Sequence, residues 1–288
     1  EGVAVRAVLQ ICHGVAEHIA RYDGFARALN EQGIVVAGHD HLGHGKSLPE
    51  GGTPVYFGDG NTWNTVVDDI YVLHQRLKQR YPDVPLCIMG HSMGSFLTRT
   101  YLIRYPGTVK AAVIMGTGWQ PRAAITGGLA LANAIAAVSG ENATSELVTE
   151  LAFGSYNKLF APNRTKVDWL SADESNVDDY IADPLCGADA TVGLFRQMLH
   201  GIRFNQRQSH LRQMDREMPV LFVAGDKDPV GNCGKGVRQT YDAFRAAGMR
   251  DCTLKLYPGL RHEILNEKAY TADITKNIEA WLLSRLEK

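Results

Sequence analysis

Short apolar segments alternate with longer segments of helical periodicity along most of the chain. The apolar runs fall at residues 5–12, 34–37, 86–89, 109–115, 220–224 and 253–257. Around them, apolar side chains recur at helical spacing over residues 21–32, 62–80, 93–104, 236–247 and 270–286. This order predicts an α/β fold in which a mostly parallel sheet is covered by helices on both faces. In the last helix we expect Ile274, Ile278, Trp281 and Leu282 to form the buried face.

The alternation stops near residue 119 and resumes near residue 219. The stretch between carries helical patterns and loops but no convincing strand. The sequence therefore predicts a discontinuous core, residues 1–118 and 219–288, with an inserted, mainly helical subdomain at residues 119–218, which we call the cap. Within the cap, residues 123–138 are apolar nearly all round. A helix of this kind must be buried or must contact something apolar.

Composition narrows the class of protein. Of the 288 residues 45% are apolar and 21% charged, which is typical of a soluble globular protein. The formal net charge of -1 argues against nucleic acid or an anionic membrane as a partner. No apolar run reaches the roughly 18 residues of a membrane span, and the apolar residues 3–11 lack the basic flank of a signal peptide.

Five scattered cysteines add a prediction about the compartment. They lack the spacing of a metal site and are odd in number, so we expect them to be reduced, mostly buried and free of disulfides. They are Cys12, Cys87, Cys186, Cys233 and Cys252. Free thiols and the absent signal pattern together favour a cytoplasmic location.

The segment Gly90-His91-Ser92-Met93-Gly94 has the pattern G-x-S-x-G. It follows a predicted strand and precedes a predicted helix, which is the context of a strained turn that exposes a nucleophilic serine. Glycines flank the serine where side chains would clash, and the following helix N-terminus favours developing negative charge. We therefore predict Ser92 to be a catalytic nucleophile.

A serine hydroxyl needs a base, and the base needs an acid that orients it. Both are expected in loops after later strands, in the order serine, acid, histidine. His262 follows the strand at residues 253–257, whereas His200 and His210 fall in the cap. Asp226 and Asp228 both follow the strand at residues 220–224. Asp228 lies further out and is the better candidate; Asp226 is expected to bond locally.

The tetrahedral intermediate of acyl transfer needs backbone N–H donors. We expect one at Met93, directly after the serine, and one at Val15, in the loop after the first strand. Glu17 and His18 follow in that loop, as functional polar groups or as a cap for the next helix. The His39-Asp40-His41 segment has H-x-H spacing. Its glycines favour a tight turn, and we predict no metal and no cofactor.

These residues resemble those of the monoacylglycerol lipases and bacterial lysophospholipases, serine hydrolases of the α/β-hydrolase fold. Residues 13–18 read HGVAEH and precede Arg21-Tyr22, residues 39–47 read HDHLGHGKS, and residues 90–94 read GHSMG. The resemblance covers nearly the whole predicted core, and the three motifs in order make it specific. The resemblance implies that Ser92, Asp228 and His262 form the triad, that Val15 and Met93 form the oxyanion hole, and that the cap covers an acyl pocket.

The expected function is hydrolysis of single-chain acyl esters, such as monoacylglycerols or lysophospholipids, with possible transient contact between the cap and a membrane or micelle. An amidase or serine aminopeptidase on the same scaffold stays open, because a fold does not fix the leaving group. Acidic residues of the cap are the candidates for holding a free amine: Asp173, Glu174, Asp178 and Asp179. A solvated surface is the simpler interpretation of them. The intact serine, acid and histidine set argues against a non-catalytic binding protein.

Overall fold

A six-stranded sheet forms the centre of the structure, a computed structural model that describes residues 3–286. Its strands are β1 (Ala7–Cys12), β2 (Ile34–Gly38), β3 (Leu86–His91), β4 (Ala111–Met115), β5 (Val220–Gly225) and β6 (Cys252–Tyr257). They are arranged in the order β2-β1-β3-β4-β5-β6, and each recorded pairing is parallel. The predicted α/β class is confirmed.

Eleven α-helices are described in residues 3–286: α1 (Asp23–Asn30), α2 (Thr62–Arg80), α3 (Met93–Arg104), α4 (Arg122–Ser139), α5 (Glu146–Thr149), α6 (Ser155–Lys158), α7 (Glu174–Ala182), α8 (Val192–Asn205), α9 (Gln208–Leu211), α10 (Lys235–Ala246) and α11 (Thr271–Leu286). Short 3-10 turns lie at Ile19–Tyr22, Gly45–Ser47, Asp168–Leu170 and Ile264–Asn266, and a π-helical turn at Glu150–Gly154. The bounds of α2 and α3 coincide with those that the periodicity predicts.

Helices cover both faces of the sheet because successive strand residues point to opposite sides. In β3, Ile88 packs into a core with α2 and α3, whereas Cys87 and Met89 pack into a second core with α1 and α11. The predicted buried face of α11 needs one correction. Trp281 is only half-buried, because its indole N–H lies at the margin of the core and donates to Thr253 Oγ1 at 3.2 Å.

Between β4 and β5 the chain forms helices α4 to α9 and one isolated bridge, Thr144 with Thr191. Helix α4 packs on α8, and Gly128 allows their close approach because a Cβ there would come within 2.8 Å of Leu199. The buried residues of α4 are Ile125, Leu129 and Ala132, and the half-buried Ile135 and Ala136 pack beside them.

The outer side of α4 differs from what the sequence suggests. Its only charged residue is Arg122, most of its outer residues are exposed, and Val138 is 88% exposed. By length and composition alone, α4 is the one described helix that could cross a membrane. The expectation that no apolar segment reaches that length is therefore wrong, because the helix adds Arg122 and Ser139 to the apolar run and so has 18 residues.

Candidate active site

Ser92 occupies the turn between β3 and α3. Its backbone torsions are φ 54° and ψ −123°, in a region that residues other than glycine rarely adopt. The turn is tight because Gly90 and Gly94 lack side chains. A Cβ at Gly90 would collide with the Gly94 carbonyl, and a Cβ at Gly94 would collide with the Cys12 carbonyl on β1. The residues therefore form the strained strand–turn–helix that the motif predicts.

Asp228 and His262 lie in contact at the ends of β5 and β6. The His262 Nδ1–H donates to Asp228 Oδ1 at 2.9 Å, and the two residues are 2% and 0% exposed. Asp228 Oδ1 also accepts the Val230 amide at 2.9 Å, which fixes the carboxylate. Asp226 instead accepts the Gly259 amide at 2.8 Å, so it joins the two loops.

Ser92 and His262 are neighbours of one backbone segment. The Ser92 amide donates to the Met115 carbonyl at 3.1 Å. At the next residue, a Cβ on Gly116 would come within 3.1 Å of the His262 ring. Met115 therefore contacts the serine turn, and the next residue, Gly116, lies against the His262 ring. A side chain at Gly116 would displace that ring.

The loop after β1 lies against the serine. A Cβ on Gly14 would come within 3.1 Å of the Ser92 Cβ. Neither the Val15 amide nor the Met93 amide donates a hydrogen bond within residues 3–286. Met93 begins α3, so its N–H has no partner inside the helix. Two free N–H groups near a serine are what an oxyanion hole requires.

A buried network of charged side chains supports this loop, and the sequence analysis missed most of it. Glu17 accepts hydrogen bonds from the Gly14 amide, from Tyr22 at 2.9 Å, from Arg21 at 2.9 Å and from His91 Nδ1 at 3.2 Å. Glu17 therefore holds the loop in place and does not cap the next helix. One part of the network is visible in the sequence: Glu17 and Arg21 are four residues apart, a spacing at which opposite charges pair within a helical turn.

The network continues to the residue after His262. Arg21 donates to both carboxylate oxygens of Glu263, at 2.6 and 2.7 Å, in a two-pronged ion pair. Asn176 of α7 donates to the same carboxylate at 2.8 Å. Arg21 thus connects the loop after β1, the loop of His262 and the cap.

His91 lies between these loops, and its ring centroid is 4.7 Å from that of His262. Its Nε2 lies 3.3 Å from the His262 carbonyl. Burial alone would lower the pKa of His91, but the hydrogen bond and charge of Glu17 raise it above the ordinary value. Burial would likewise raise the pKa of Glu17, but the His91 hydrogen bond and the Arg21 charge hold it well below its ordinary value.

His41 and His44 pack on His13, and His39 packs on His41. Among residues 3–286 these histidines are not part of a group with metal-ligand spacing. The His41 ring lies 4.2 Å from the His13 ring, and His13 Nε2 accepts the His41 amide at 2.9 Å. Burial lowers the pKa of His13 to about 3, and it lowers the pKa of His41 as well. These rings are therefore neutral spacers under the loop.

One other group has metal-ligand chemistry. His18, Asp183 and Cys186 are the single set within residues 3–286 whose ligand atoms all lie within 4.8 Å of one another. His18 Nε2 already bonds Asp183 at 2.8 Å, and burial raises the pKa of Cys186 to about 12. The Arg21 charge lowers the pKa of this thiol, but by less than burial raises it. The group joins the core to the cap as a hydrogen-bonded contact.

The cap covers the histidine. The Trp169 ring lies 5.1 Å from the His262 ring, and Phe153 and Tyr156 pack on Trp169. The Glu263 amide donates to the Leu170 carbonyl at 2.8 Å. Ser92 itself is 9% exposed. We therefore expect part of this cover to move when a substrate enters.

The acidic residues of the cap point elsewhere. Arg164 pairs with Asp178 at 2.6 Å and with Glu174 at 3.8 Å, and Lys268 lies 3.8 Å from Asp179. The side chains of these three acids are between 57% and 79% exposed. Asp173 accepts the Ser175 amide and so begins α7. The four acids therefore form a solvated, partly paired surface and are not gathered to hold an amine.

The fold and the serine turn define a serine hydrolase of the α/β-hydrolase class. A family model described as serine aminopeptidase, S33, matches residues 3–269, and the chain belongs to this family.

Named relatives agree with this assignment. The chain is 32% identical over 286 residues to the monoacylglycerol lipase of Mycolicibacterium smegmatis, covering 98% of this chain and 89% of the relative. It is 27% identical to the human monoglyceride lipase, covering 97% and 83% of the two chains. A carboxyl esterase from Bacillus coagulans superposes with a TM-score of 0.92 at 26% identity, covering 99% and 91%. The expected class, a serine carboxylester hydrolase, is confirmed.

Proposed function

We propose that the protein hydrolyses single-chain acyl esters, monoacylglycerols in particular, through an acyl-enzyme on Ser92. The observation that carries the proposal is the Asp228–His262 pair beside a strained serine turn. In this mechanism Asp228 holds the Nδ1–H of His262, so that Nε2 accepts the serine proton as Ser92 Oγ attacks the carbonyl carbon. The protonated His262 then delivers that proton to the leaving alcohol.

The negative oxygen of the tetrahedral intermediate accepts hydrogen bonds from the Val15 and Met93 amides. Water then attacks the acyl-enzyme while His262 again acts as base, which releases the fatty acid and restores Ser92. The reaction uses no metal and no cofactor at any step. Lysophospholipids are the second substrate class, because they present the same single acyl chain on a glycerol ester.

The apolar surroundings of the serine support a lipid substrate. One continuous cluster of buried side chains includes Met93 beside the serine, Trp169, Phe195 of α8, and Ile125 and Leu129 of α4. If the cap moves so that an acyl chain packs on this cluster, the chain would exchange water for apolar contacts, at about 0.8 kcal/mol for each methylene.

Aminopeptidase activity, which the family name suggests, has less support. Recognition of a free amine requires an unpaired carboxylate near the serine. Apart from Asp228, which bonds His262, the buried carboxylates beside the serine are Glu17 and Glu263, and both are paired with Arg21. Glu174, Asp178 and Asp179 of the cap are exposed. An ester substrate needs no such partner.

The cap also offers a surface for transient contact with a membrane or micelle. Exposed apolar side chains cluster in the segment that contains α4, α5 and α6: Val138, Leu147, Leu151 and Leu159. A monoacylglycerol resides in such an assembly, so this contact would bring the enzyme to its substrate. A cytoplasmic location is part of the proposal, because all five thiols are free.

The nucleophile is tested with a fluorophosphonate probe and a set of acyl esters. Ser92→Ala should lose labelling and lower kcat by roughly 10⁴-fold or more, as in other serine triads. The matched control is Ser95→Ala, which removes a buried hydroxyl one turn further along α3 and should retain labelling. Labelling of the Ser92→Ala protein would assign the nucleophile to another serine. Faster hydrolysis of a matched amide than of the ester would refute the substrate class.

A further inference from the structure

One face of α8 carries a row of basic residues. Arg196, His200 and Arg203 are spaced by four and three residues, and Arg207 follows four residues later, just beyond the helix. At this spacing side chains lie above one another, and like charges destabilise a helix. Arg203 and Arg207 are exposed, while Arg196 and His200 are half-buried. We call these four residues the basic row.

Two adjoining clefts open along the basic row. The first has a volume of about 440 Å³ and is lined by the whole row together with Asn61, Trp63 and Asn64 from the start of α2. The second has a volume of about 290 Å³ and is lined by Arg122, Ile125 and Thr126 of α4 with Arg203, Gln206 and Arg207. Arg203 and Arg207 line both clefts. Neither cleft is lined by Ser92, Asp228 or His262, so they are separate from the proposed catalytic site.

The positive charge in these clefts is largely uncompensated. No carboxylate lines either cleft. Arg196 pairs with Glu141 at 2.5 Å, but in the described part of the chain Arg122, Arg203 and Arg207 form no ion pair. Burial lowers the pKa of His200, and the charges of Arg203 and Arg196 lower it further. The side chain of Asn61 does not cap α2, so the first N–H groups of that helix have no side-chain acceptor there, and the start of α2 lines the first cleft.

These features match the chemistry of a phosphate group. A guanidinium group binds phosphate through two parallel hydrogen bonds, and a helix N-terminus adds N–H donors. The second cleft adjoins the start of α4, whose outer face is apolar and exposed. Basic side chains beside an apolar helix face are typical of proteins that bind at the headgroup level of a membrane. The overall charge of -1 conceals this local excess.

We infer that the two clefts bind the phosphate groups of anionic phospholipids while the outer face of α4 contacts the membrane. The inference rests on the lipid contact proposed for the cap and adds a preference for an anionic surface. In this arrangement Arg122, Arg203 and Arg207 lie at the phosphate level. The clefts hold the enzyme at the surface, and the substrate enters at the separate catalytic site.

The test compares vesicle binding by the double variant Arg203→Gln/Arg207→Gln with binding by Arg76→Gln/Arg80→Gln. The control pair has the same four-residue spacing on exposed positions of α2, roughly 20 Å or more from its N-terminus at 1.5 Å per residue. Vesicles of phosphatidylcholine alone, and with about one third phosphatidylglycerol, are sedimented with each protein. Hydrolysis of a soluble acetate ester is measured in parallel.

The parent should bind the phosphatidylglycerol vesicles more tightly than the phosphatidylcholine vesicles. Removing Arg203 and Arg207 should weaken the former binding by roughly 25-fold, about fivefold for each arginine, and the control pair should bind like the parent. Equal binding by both double variants would overturn the inference. A second result would also overturn it: inorganic phosphate protects the parent, but not the Arg203→Gln/Arg207→Gln protein, against thermal unfolding, and the parent shows no preference for anionic vesicles. The clefts would then bind soluble phosphate. All three proteins should cleave the acetate ester equally; loss of that activity in the parent would refute the proposed function alone.

Discussion

The core and the cap are built on different principles, and the difference separates chemistry from substrate choice. In the core, the candidate catalytic residues lie at strand ends and are fixed by buried hydrogen bonds such as Asp228 with His262. The cap contributes no residue of that set and meets the site with rings such as Trp169. We therefore expect changes in the core to affect all substrates alike, and changes in the cap to affect substrates according to their acyl chains.

The part of the cap that precedes α8 has two unlike segments. Residues 168–187 are tied to the core by polar contacts, because the Ala16 carbonyl accepts both the Gly187 amide and the Tyr180 hydroxyl at 3.0 Å. In the preceding segment, helix α4 itself meets α8 through apolar packing, whereas the loop after α4 is fixed by the Glu141–Arg196 ion pair and by the Val192 and Gly193 amides. Apolar contacts have no fixed geometry and re-form in several positions. The segment that contains α4 is thus the part that we expect to move when substrate enters.

The largest effect should come from the acid of the core. Asp228→Asn should lower kcat by roughly 10⁴-fold for every ester, because an asparagine leaves the His262 imidazole in the wrong tautomer. Asp226→Asn is the matched control. Its amide oxygen can still accept the Gly259 amide, so kcat should change by less than about tenfold. The measurement is steady-state hydrolysis of esters of several chain lengths. A greater loss in the Asp226 variant would reverse the assignment of the acid.

The next effect concerns the buried charges beneath the serine. Glu17→Gln should destabilise the protein by about 3 kcal/mol, because it leaves His91 and one side of Arg21 without a carboxylate in a buried site. Glu31→Gln, an exposed glutamate at the end of α1, is the control and should change stability by less than about 0.5 kcal/mol. Urea unfolding at pH 6 gives both values.

The same pair predicts how stability depends on pH. The pKa of His91 is raised in the folded state, so its contribution is full below about pH 6.5 and is lost as pH rises through the raised pKa. Glu17 has a lowered pKa, so its contribution is present above about pH 4.5 and is lost on acidification. Glu17→Gln should therefore flatten the decline of unfolding free energy above pH 6.5. A decline of equal slope in both proteins would show that His91 does not titrate with folding.

A smaller effect, confined to long substrates, should come from α4. Ile135 is half-buried and packs on the apolar cluster, whereas Ala134 beside it is exposed. For the parent, kcat/KM should rise by up to about fourfold for each methylene over several carbons, from about 0.8 kcal/mol. Ile135→Asp should flatten that rise while hydrolysis of an acetate ester survives, and Ala134→Asp should leave it intact. Soluble monomeric esters keep membrane contact out of the measurement.

Two results would count against that role of α4. One is a parent that hydrolyses all chain lengths equally. The other is an Ile135→Asp protein that unfolds, which would make the helix ordinary core packing.

The sequence predicted the core well, for a physical reason. Buried strands and amphipathic helices carry their period in the order of residues, and the serine turn requires glycines that are visible as letters. The network around Glu17 was harder to predict, because Glu263 and His91 are distant in sequence from Arg21 and only the fold brings them together. The outer face of α4 was also missed, since the apolar pattern does not show which side meets protein. The basic row has helical spacing in the sequence, but a net charge near zero gives no sign of a local excess of positive charge.

The smallest effect, in labelling rate and not in activity, sharpens the comparison of core and cap through the cysteines. Only Cys12 and Cys87 are buried, both in core strands, and burial raises the pKa of each to about 12. The expectation that most thiols are buried is thus wrong, because Cys186 and Cys252 are half-buried and Cys233 is exposed.

A maleimide should modify Cys233 first. Cys186, at the junction of cap and core, should follow at a rate set by local opening, which needs less free energy than global unfolding. Cys12 and Cys87 should react only as the whole domain unfolds, with a strong dependence on urea. Mass spectrometry of native protein should find five free thiols, and labelling in rising urea gives the separate rates. If Cys186 and Cys12 react with the same urea dependence, core and cap open as one unit, and movement of the cap alone cannot admit the substrate.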